Sequence, residues 1–144
     1  MESTERTKIS IQVKVKAPLE LVWKCWTTPE DITQWNQASA DWHCPLAVND
    51  LRPGGAFCYR MEARDGSFGF DFSGLYQKVK INEQIDYLLD DGRKVEISFA
   101  DKTGFTEISQ TFEAEDQNPV QLQRDGWQAI MNSFKKHTEL KNQQ

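Results

Sequence analysis

From Lys8 to Lys16 the chain alternates apolar and polar residues without a break, which puts Ile9, Ile11, Val13 and Val15 on the buried face of one strand. Ala17-Pro18 ends it. Leu19, Val22, Trp23 and Trp26 then recur at intervals of three and four and predict a short amphipathic helix over residues 18–26, opened by Pro18. Thr28-Pro29-Glu30 restarts the signal as an N-cap, a proline at N1 and an acid in the first turn, so a second short helix follows through Ile32 to about Trp35. Trp23, Trp26 and Trp35 lie between the two helices, which read as a wedge plugging one end of something larger.

Residues 36–55 are the least regular. Asp41-Trp42-His43-Cys44 reads as a short edge strand limited by Pro45, and Arg52-Pro53-Gly54-Gly55 as a turn. A meander follows. Phe57, Tyr59, Met61 and Ala63 share one face of a strand, and Asp65-Gly66 is a strong hairpin turn. Phe70, Phe72, Gly74 and Tyr76 form the next inward row, then Ile85, Tyr87 and Leu89 before a turn at Asp90-Asp91-Gly92. Val95, Ile97 and Phe99 make another row, a turn passes from Asp101 to Gly104, and Thr106, Ile108, Gln110 and Phe112 make the last. Hairpin-linked strands are antiparallel, and one face of this sheet is rich in aromatics and needs a cover.

The last periodic stretch supplies the cover. Asn118 is placed to N-cap a helix with Pro119 at N1. Leu122, Gly126, Ile130 and Phe134 repeat every fourth residue, and Trp127 and Met131 broaden the apolar stripe. Lys135, Lys136 and His137 sit in the last turns, where positive charge suits the helix dipole. Gly126 costs about 1 kcal/mol against alanine in a helix interior, which points to close packing against the sheet or else to a neutral glycine. From Glu139 onward the chain is polar and expected to fray. The expected fold is α+β: a curved antiparallel sheet wrapped around a long C-terminal helix, with two short helices after strand one.

Composition narrows the partners. A chain of 144 residues fits one domain, residues 1–144 with an ordered core of about 8–138, and 38% hydrophobic content is globular. A net charge of −5 without a Lys/Arg block argues against nucleic acid and against an anionic membrane face. No apolar run is long enough for membrane insertion, and Met1–Arg6 lacks an apolar signal region. Three cysteines without CxxC spacing suit a reducing cytoplasm.

Within this order of elements, the stretches APLELVWKCWTTPEDITQW, DLRPGGAFCYRMEARDG, Phe72-Ser73-Gly74 and RDGWQAIMNSFKKH carry a family likeness from about residue 8 to 138. The chain resembles the START/birch-pollen-allergen-like superfamily, also called SRPBCC, with its helix-grip fold. Within it, the chain resembles the branch named after the activator of heat-shock protein 90 ATPase homologue 1. The resemblance implies a deep hydrophobic cavity for lipid-like or polycyclic small molecules, in a superfamily that includes binders, cyclases and hydrolases. Eukaryotic activators of that chaperone join a separate N-terminal domain to a domain like this one. Here the similar part is the whole chain, so the expectation is a shared fold, with a chaperone partner ranked behind a hydrophobic small molecule.

The candidate ligand-binding residues follow from the inward rows. From the sheet they are Phe57, Tyr59, Met61, Phe70, Phe72, Tyr76, Tyr87, Ile97, Phe99, Ile108 and Gln110, with Val95 on the same face. From the helix they are Trp127, Ile130 and Met131, and Trp35 and Trp42 fall at the mouth. Tyr59, Tyr76, Tyr87 and Gln110 supply polar groups that want partners when buried. Composition favours rows that fill the interior; the resemblance favours a pocket. Asp41, His43 and Cys44 are the one local cluster with metal or nucleophile chemistry. Zinc would want more ligands, and adjacent strand residues point to opposite faces. No metal, cofactor or catalytic set is therefore expected. Arg60, Glu62, Arg64 and Asp71 read as solvated cross-strand pairs, and Arg124 with Asp125 as an exposed pair near the cavity entrance. The leading reading is a small-molecule binder. The alternatives are a cyclase- or hydrolase-like enzyme in the same cavity, and a co-chaperone or interaction module using the outer sheet face.

Overall fold

A computed structural model describes residues 6–143; Met1–Glu5, part of the stretch read above as lacking a signal region, and Gln144 lie outside the described residues. The elements follow in the order β1 (Lys8–Val15), α1 (Leu19–Thr27), α2 (Pro29–Trp35), β2 (Trp42–Asn49), β3 (Ala56–Ala63), β4 (Gly69–Lys80), β5 (Gln84–Leu89), β6 (Lys94–Lys102), β7 (Phe105–Glu113) and α3 (Val120–Asn142). The strands form one seven-stranded antiparallel sheet in the order β1-β7-β6-β5-β4-β3-β2. It curls around α3 as the α+β helix-grip pattern predicts. Every residue of β1 alternates between exposed and buried, and β7 buries Thr106, Ile108, Gln110 and Phe112. Register shifts between Tyr76 and Lys78 in β4, and between His43 and Leu46 in β2, help the sheet bend.

Two strand expectations change. β2 runs through Pro45 to Asn49 rather than stopping at Cys44. Pro45 is tolerated because it sits at a register shift on an edge strand, where no partner needs its missing N–H. β6 extends to Lys102, so the last hairpin turns tightly at Thr103-Gly104, with Gly104 at φ +85°.

The short helices do plug one end of the sheet. The Trp35 indole N–H donates to the Cys25 carbonyl over 2.8 Å, locking α2 to α1, and Asn49 Nδ2 donates to Thr27 O over 2.8 Å to tie both to β2. Phe134 of α3 enters the wedge, with ring centroids 4.8 Å from Trp26 and 5.0 Å from Trp35. Trp23 and Trp26 in turn pack edge-on against Phe99.

α3 departs from expectation at both ends. Pro119, not Asn118, is the N-cap residue, and Asn118 Nδ2 instead donates to Glu115. Leu122 is exposed and Gln123 is buried: the Gln123 amide accepts from Glu115 N–H and donates to the carbonyls of Glu115 and Asn118. That bonding turns the first turn away from the apolar register. The C-terminal turns are helical to Asn142, because they are tied down. Glu139 accepts from Lys16 N–H at 2.8 Å and pairs with Lys135 at 2.7 Å, and Lys141 reaches Asp31 at 2.8 Å.

The polar flank of α3 lies along the free edge of β1. Arg124 donates to Ser10 O, Gln128 to Gln12 O, Lys135 to Lys14 O and Asn142 to Lys16 O, over 2.7–3.2 Å. The Arg124–Lys135 stretch rises about 16 Å while Ser10–Lys14 spans about 13 Å, so long side chains keep pace with alternate carbonyls. This edge contact, together with Trp127 stacked on Phe112 at 3.8 Å, leans the helix towards the β1–β7 side.

Close packing does not explain Gly126. A Cβ there would meet nothing within 4 Å. Gly126→Ala is therefore expected to stabilise the fold by about 0.5–1 kcal/mol through helix propensity and a less flexible unfolded chain. Chemical denaturation checks this; an unchanged or lower midpoint would sink it.

Candidate functional site

Because α3 leans on β1 and β7, space remains beneath it on the other half of the sheet. A cavity of about 310 Å³ lies there, walled by Tyr59, Met61, Phe70, Phe72, Tyr76, Ile85 and Tyr87 of β3–β5 and by Trp127, Ile130 and Met131 of α3. Gln110 of β7 completes the sheet wall. Trp26, Thr27, Trp35 and Asn36 close the wedge end, and Arg93, Glu115, Asn118 and Gln123 close the opposite end. Apolar walls with a few placed polar groups are the usual make-up of a small-molecule site.

Of the residues expected at the wall, Trp35, Tyr59, Met61, Phe70, Phe72, Tyr76, Tyr87, Gln110, Trp127, Ile130 and Met131 face this cavity. Five do not. Ile97, Phe99 and Ile108 are buried on the half of the sheet that α3 and the wedge already cover. Val95 shares that fate. Phe57 is enclosed by the rings of Tyr59, Phe72, Tyr76 and Tyr87, at centroid distances of 4.8–6.2 Å. It fits because Gly74 has no Cβ, which would run into the Leu88 carbonyl and crowd the Phe57 ring. Trp42 stands behind the rim, packed on Phe68 and Phe70 at 6.0 and 6.1 Å. Phe68 and Phe70 themselves are largely open to solvent and form an aromatic lip.

The polar atoms are grouped. The Tyr59 and Tyr76 hydroxyls are 3.5 Å apart. Burial pushes the Tyr59, Tyr76 and Tyr87 phenols up from their ordinary value, and the neighbouring Tyr76 pushes Tyr59 and Tyr87 further. All three are neutral hydrogen-bonding groups at physiological pH, not bases. At the far end the Arg93 guanidinium, its side chain 14% exposed, is held by Asp91 Oδ2 at 2.8 Å. Sequence reasoning missed Arg93 because it follows a turn, and missed Gln123 because the stripe assigned Leu122 inward. A buried glutamine beside a helix start was the available signal.

Asp41, His43 and Cys44 do not converge on a site. His43 faces Glu62 at 3.7 Å on the outer surface, Cys44 is buried against Asn36 and the Leu46 carbonyl, and Asp41 is exposed. Arg60 bonds Glu62 of its own strand at 2.9 Å and Asp71 across the β3–β4 pair at 3.4 Å, both partly in solvent, and Arg64 caps the Ala40 carbonyl. Arg124 and Asp125 part company: the first serves the β1 edge, and the second accepts from Gln121.

The sequence pattern described as Activator of Hsp90 ATPase homolog 1-like protein matches residues 16–139. The solution structure of an AHSA1-like protein from Aeromonas hydrophila is 40% identical, with 96% of each chain covered and a TM-score of 0.90. A solution structure from Cytophaga hutchinsonii is 50% identical over 93% of each chain, with a TM-score of 0.81. A Nitrosomonas europaea protein shares the fold at 18% identity, over 99% of this chain and 100% of its own, with a TM-score of 0.81. Among curated proteins, none matches.

Proposed function

The chain belongs to the Activator of Hsp90 ATPase homolog 1-like family, and from that premise we propose that it holds a hydrophobic small molecule, lipid-like or polycyclic, between β3–β5 and α3. The observation that carries this reading is the roughly 310 Å³ of space lined by aromatic rings, with the tyrosine hydroxyls on one wall and Arg93 and Gln123 at one end. Such a site suits a flat or chain-like apolar body with one polar end. Binding is favoured over a cyclase- or hydrolase-like reaction in the same cavity, since the wall is mainly aromatic and aliphatic with a few neutral hydrogen-bonding groups. A reducing, cytoplasmic setting suits the three free thiols of Cys25, Cys44 and Cys58. Among the described residues no helix is long and apolar enough to cross a membrane.

Native mass spectrometry of protein purified from its own host is expected to show a retained organic ligand, and a panel of lipids and polycyclic phenols to show saturable binding. Trp127→Ala removes an indole that lies between the cavity and Phe112. It is expected to weaken that binding at least about tenfold, since the wall it removes is worth about 1.4 kcal/mol or more. An unchanged affinity removes Trp127 from the wall, and a clean protein with no binder in the panel defeats the reading. A second reading draws on exposed Leu46, Val48 and Leu75 of β2 and β4 as a protein-docking face. Stoichiometric recovery of a chaperone in a pull-down, lost on Leu75→Lys, would favour it.

A further inference from the structure

Outside the cavity, one buried cluster brings together residues from all three helices. Cys25 of α1, Asp31 of α2 and His137 of α3 place a sulfur, a carboxylate oxygen and an imidazole nitrogen within 4.8 Å of one another. Cys25 is fully buried and Asp31 is 2% exposed. His137 Nε2 lies 2.9 Å from Asp31 Oδ1, and Lys141 Nζ lies 2.8 Å from the same oxygen. Beside them the hydroxyl of Thr138 is buried with no hydrogen-bond partner among the described residues. An unsatisfied buried hydroxyl costs about 1–3 kcal/mol, and its neighbour is the Cys25 sulfur, a weak acceptor as a thiol and a strong one as a thiolate.

We propose that Cys25, Asp31 and His137 form a binding site for a thiophilic divalent cation of the zinc type, with water in the fourth position on the side of Lys141. Thiolate, carboxylate and imidazole are the ligand types zinc selects, and three protein ligands with one open position is a common coordination pattern. Tetrahedral coordination at zinc bond lengths puts ligand atoms about 3.3–3.7 Å apart, so spacings up to 4.8 Å close by about 1 Å while the 2.9 Å His137–Asp31 contact opens by about 0.5 Å. Thiolate and carboxylate together balance the dication. The metal takes the place of the protons the cluster now holds: the Cys25 S–H proton leaves to solvent, the Nε2 proton that His137 gives to Asp31 is displaced, and the ring, protonated on Nδ1, offers the Nε2 lone pair. The Thr138 hydroxyl then donates to the Cys25 thiolate, the outer contact that metal-bound sulfur commonly receives. Lys141, with its side chain 35% exposed, swings off Asp31 into water and clears the path for the ion. Its ammonium therefore competes with the metal for one carboxylate.

Cobalt(II) added to the full-length chain tests this, since a cobalt–thiolate bond absorbs in the near ultraviolet and tetrahedral cobalt absorbs strongly in the visible. One equivalent is expected to produce both bands. The Cys44→Ser/Cys58→Ser double variant, with Cys25 as its sole thiol, keeps them, and Cys25→Ser loses them. His137→Gln weakens binding at least about tenfold, as loss of even an outer partner can. Lys141→Met tightens it, a result a merely structural ion pair would not give. The proposal is overturned by absent bands in the double variant, by bands that survive Cys25→Ser, or by equal or weaker binding after Lys141→Met. The double variant and Lys141→Met keep the test decisive should Cys25→Ser fail to fold.

Discussion

Truncating Phe134 to alanine is expected to destabilise the protein by about 3–5 kcal/mol, the usual cost of removing a buried phenylalanine together with the cavity left behind. Phe134 has no exposed surface, and its ring lies edge-on to both Trp26 and Trp35. Those edge-to-face contacts add about 0.5–1.5 kcal/mol each beyond area burial. For a chain of this size the loss corresponds to roughly 10–15 °C in Tm. The same ring holds α3 in the wedge, and Trp26 and Trp35 are also cavity wall. Ligand affinity should therefore fall along with stability. Calorimetry on Phe134→Ala and Phe134→Leu decides the matter: if the alanine variant melts within a few degrees of wild type, the helix is not anchored there.

The second large effect belongs to Asp31. Replacing it with asparagine keeps the shape but removes the charge that gathers His137 and Lys141, and is expected to cost about 2–3 kcal/mol at neutral pH. Breaking a buried ion pair costs about 3–5 kcal/mol, and the lower figure applies because Lys141 can regain water. Burial pushes the Asp31 carboxyl up, but the hydrogen bonds from Lys141 and His137 outweigh it and hold its pKa below the ordinary aspartate value. The sign follows. A carboxylate with a depressed folded-state pKa contributes stability that is complete above about pH 4 and fades as pH falls through the folded value. Denaturation curves of wild type and Asp31→Asn should converge in that acidic window and stay separated above it. A constant gap at every pH would mean that packing, not charge, is responsible. Metal-free protein is the right sample, since an ion on the cluster would replace this pH dependence with its own.

These two positions also mark how far the chain could be read unaided. Phe134 stood in the apolar stripe of its helix, and the inward rows of β1 and β3–β7 followed from two-residue alternation, because burial on one face writes a local period. Asp31 carried no such signal. Its partners lie more than a hundred residues away, and nothing in the spacing of Cys25, Asp31 and His137 announces that three helices converge. The cavity was legible as rings facing a helix, but its position was not. That depends on the lean of α3, which Arg124, Gln128 and Lys135 set by reaching the β1 carbonyls. Ile97, Phe99 and Ile108 are buried away from the cavity, Phe99 against Trp23 and Trp26 of the wedge, while Phe70 and Phe72 face the space. Leu122 and Gln123 exchanged places because a glutamine amide satisfying three backbone groups outweighs one leucine against the sheet.

The row of donors from α3 to β1 bears on traffic as well as on geometry. Lifting the whole helix to admit a guest would bare a strand border with alternate carbonyls unanswered, an invitation for neighbouring molecules to join end to end into aggregates. The side that spares this seam is the opposite one, where exposed Phe70 is both cavity wall and rim. A ligand of the proposed kind that entered past that rim would leave the β1 border covered.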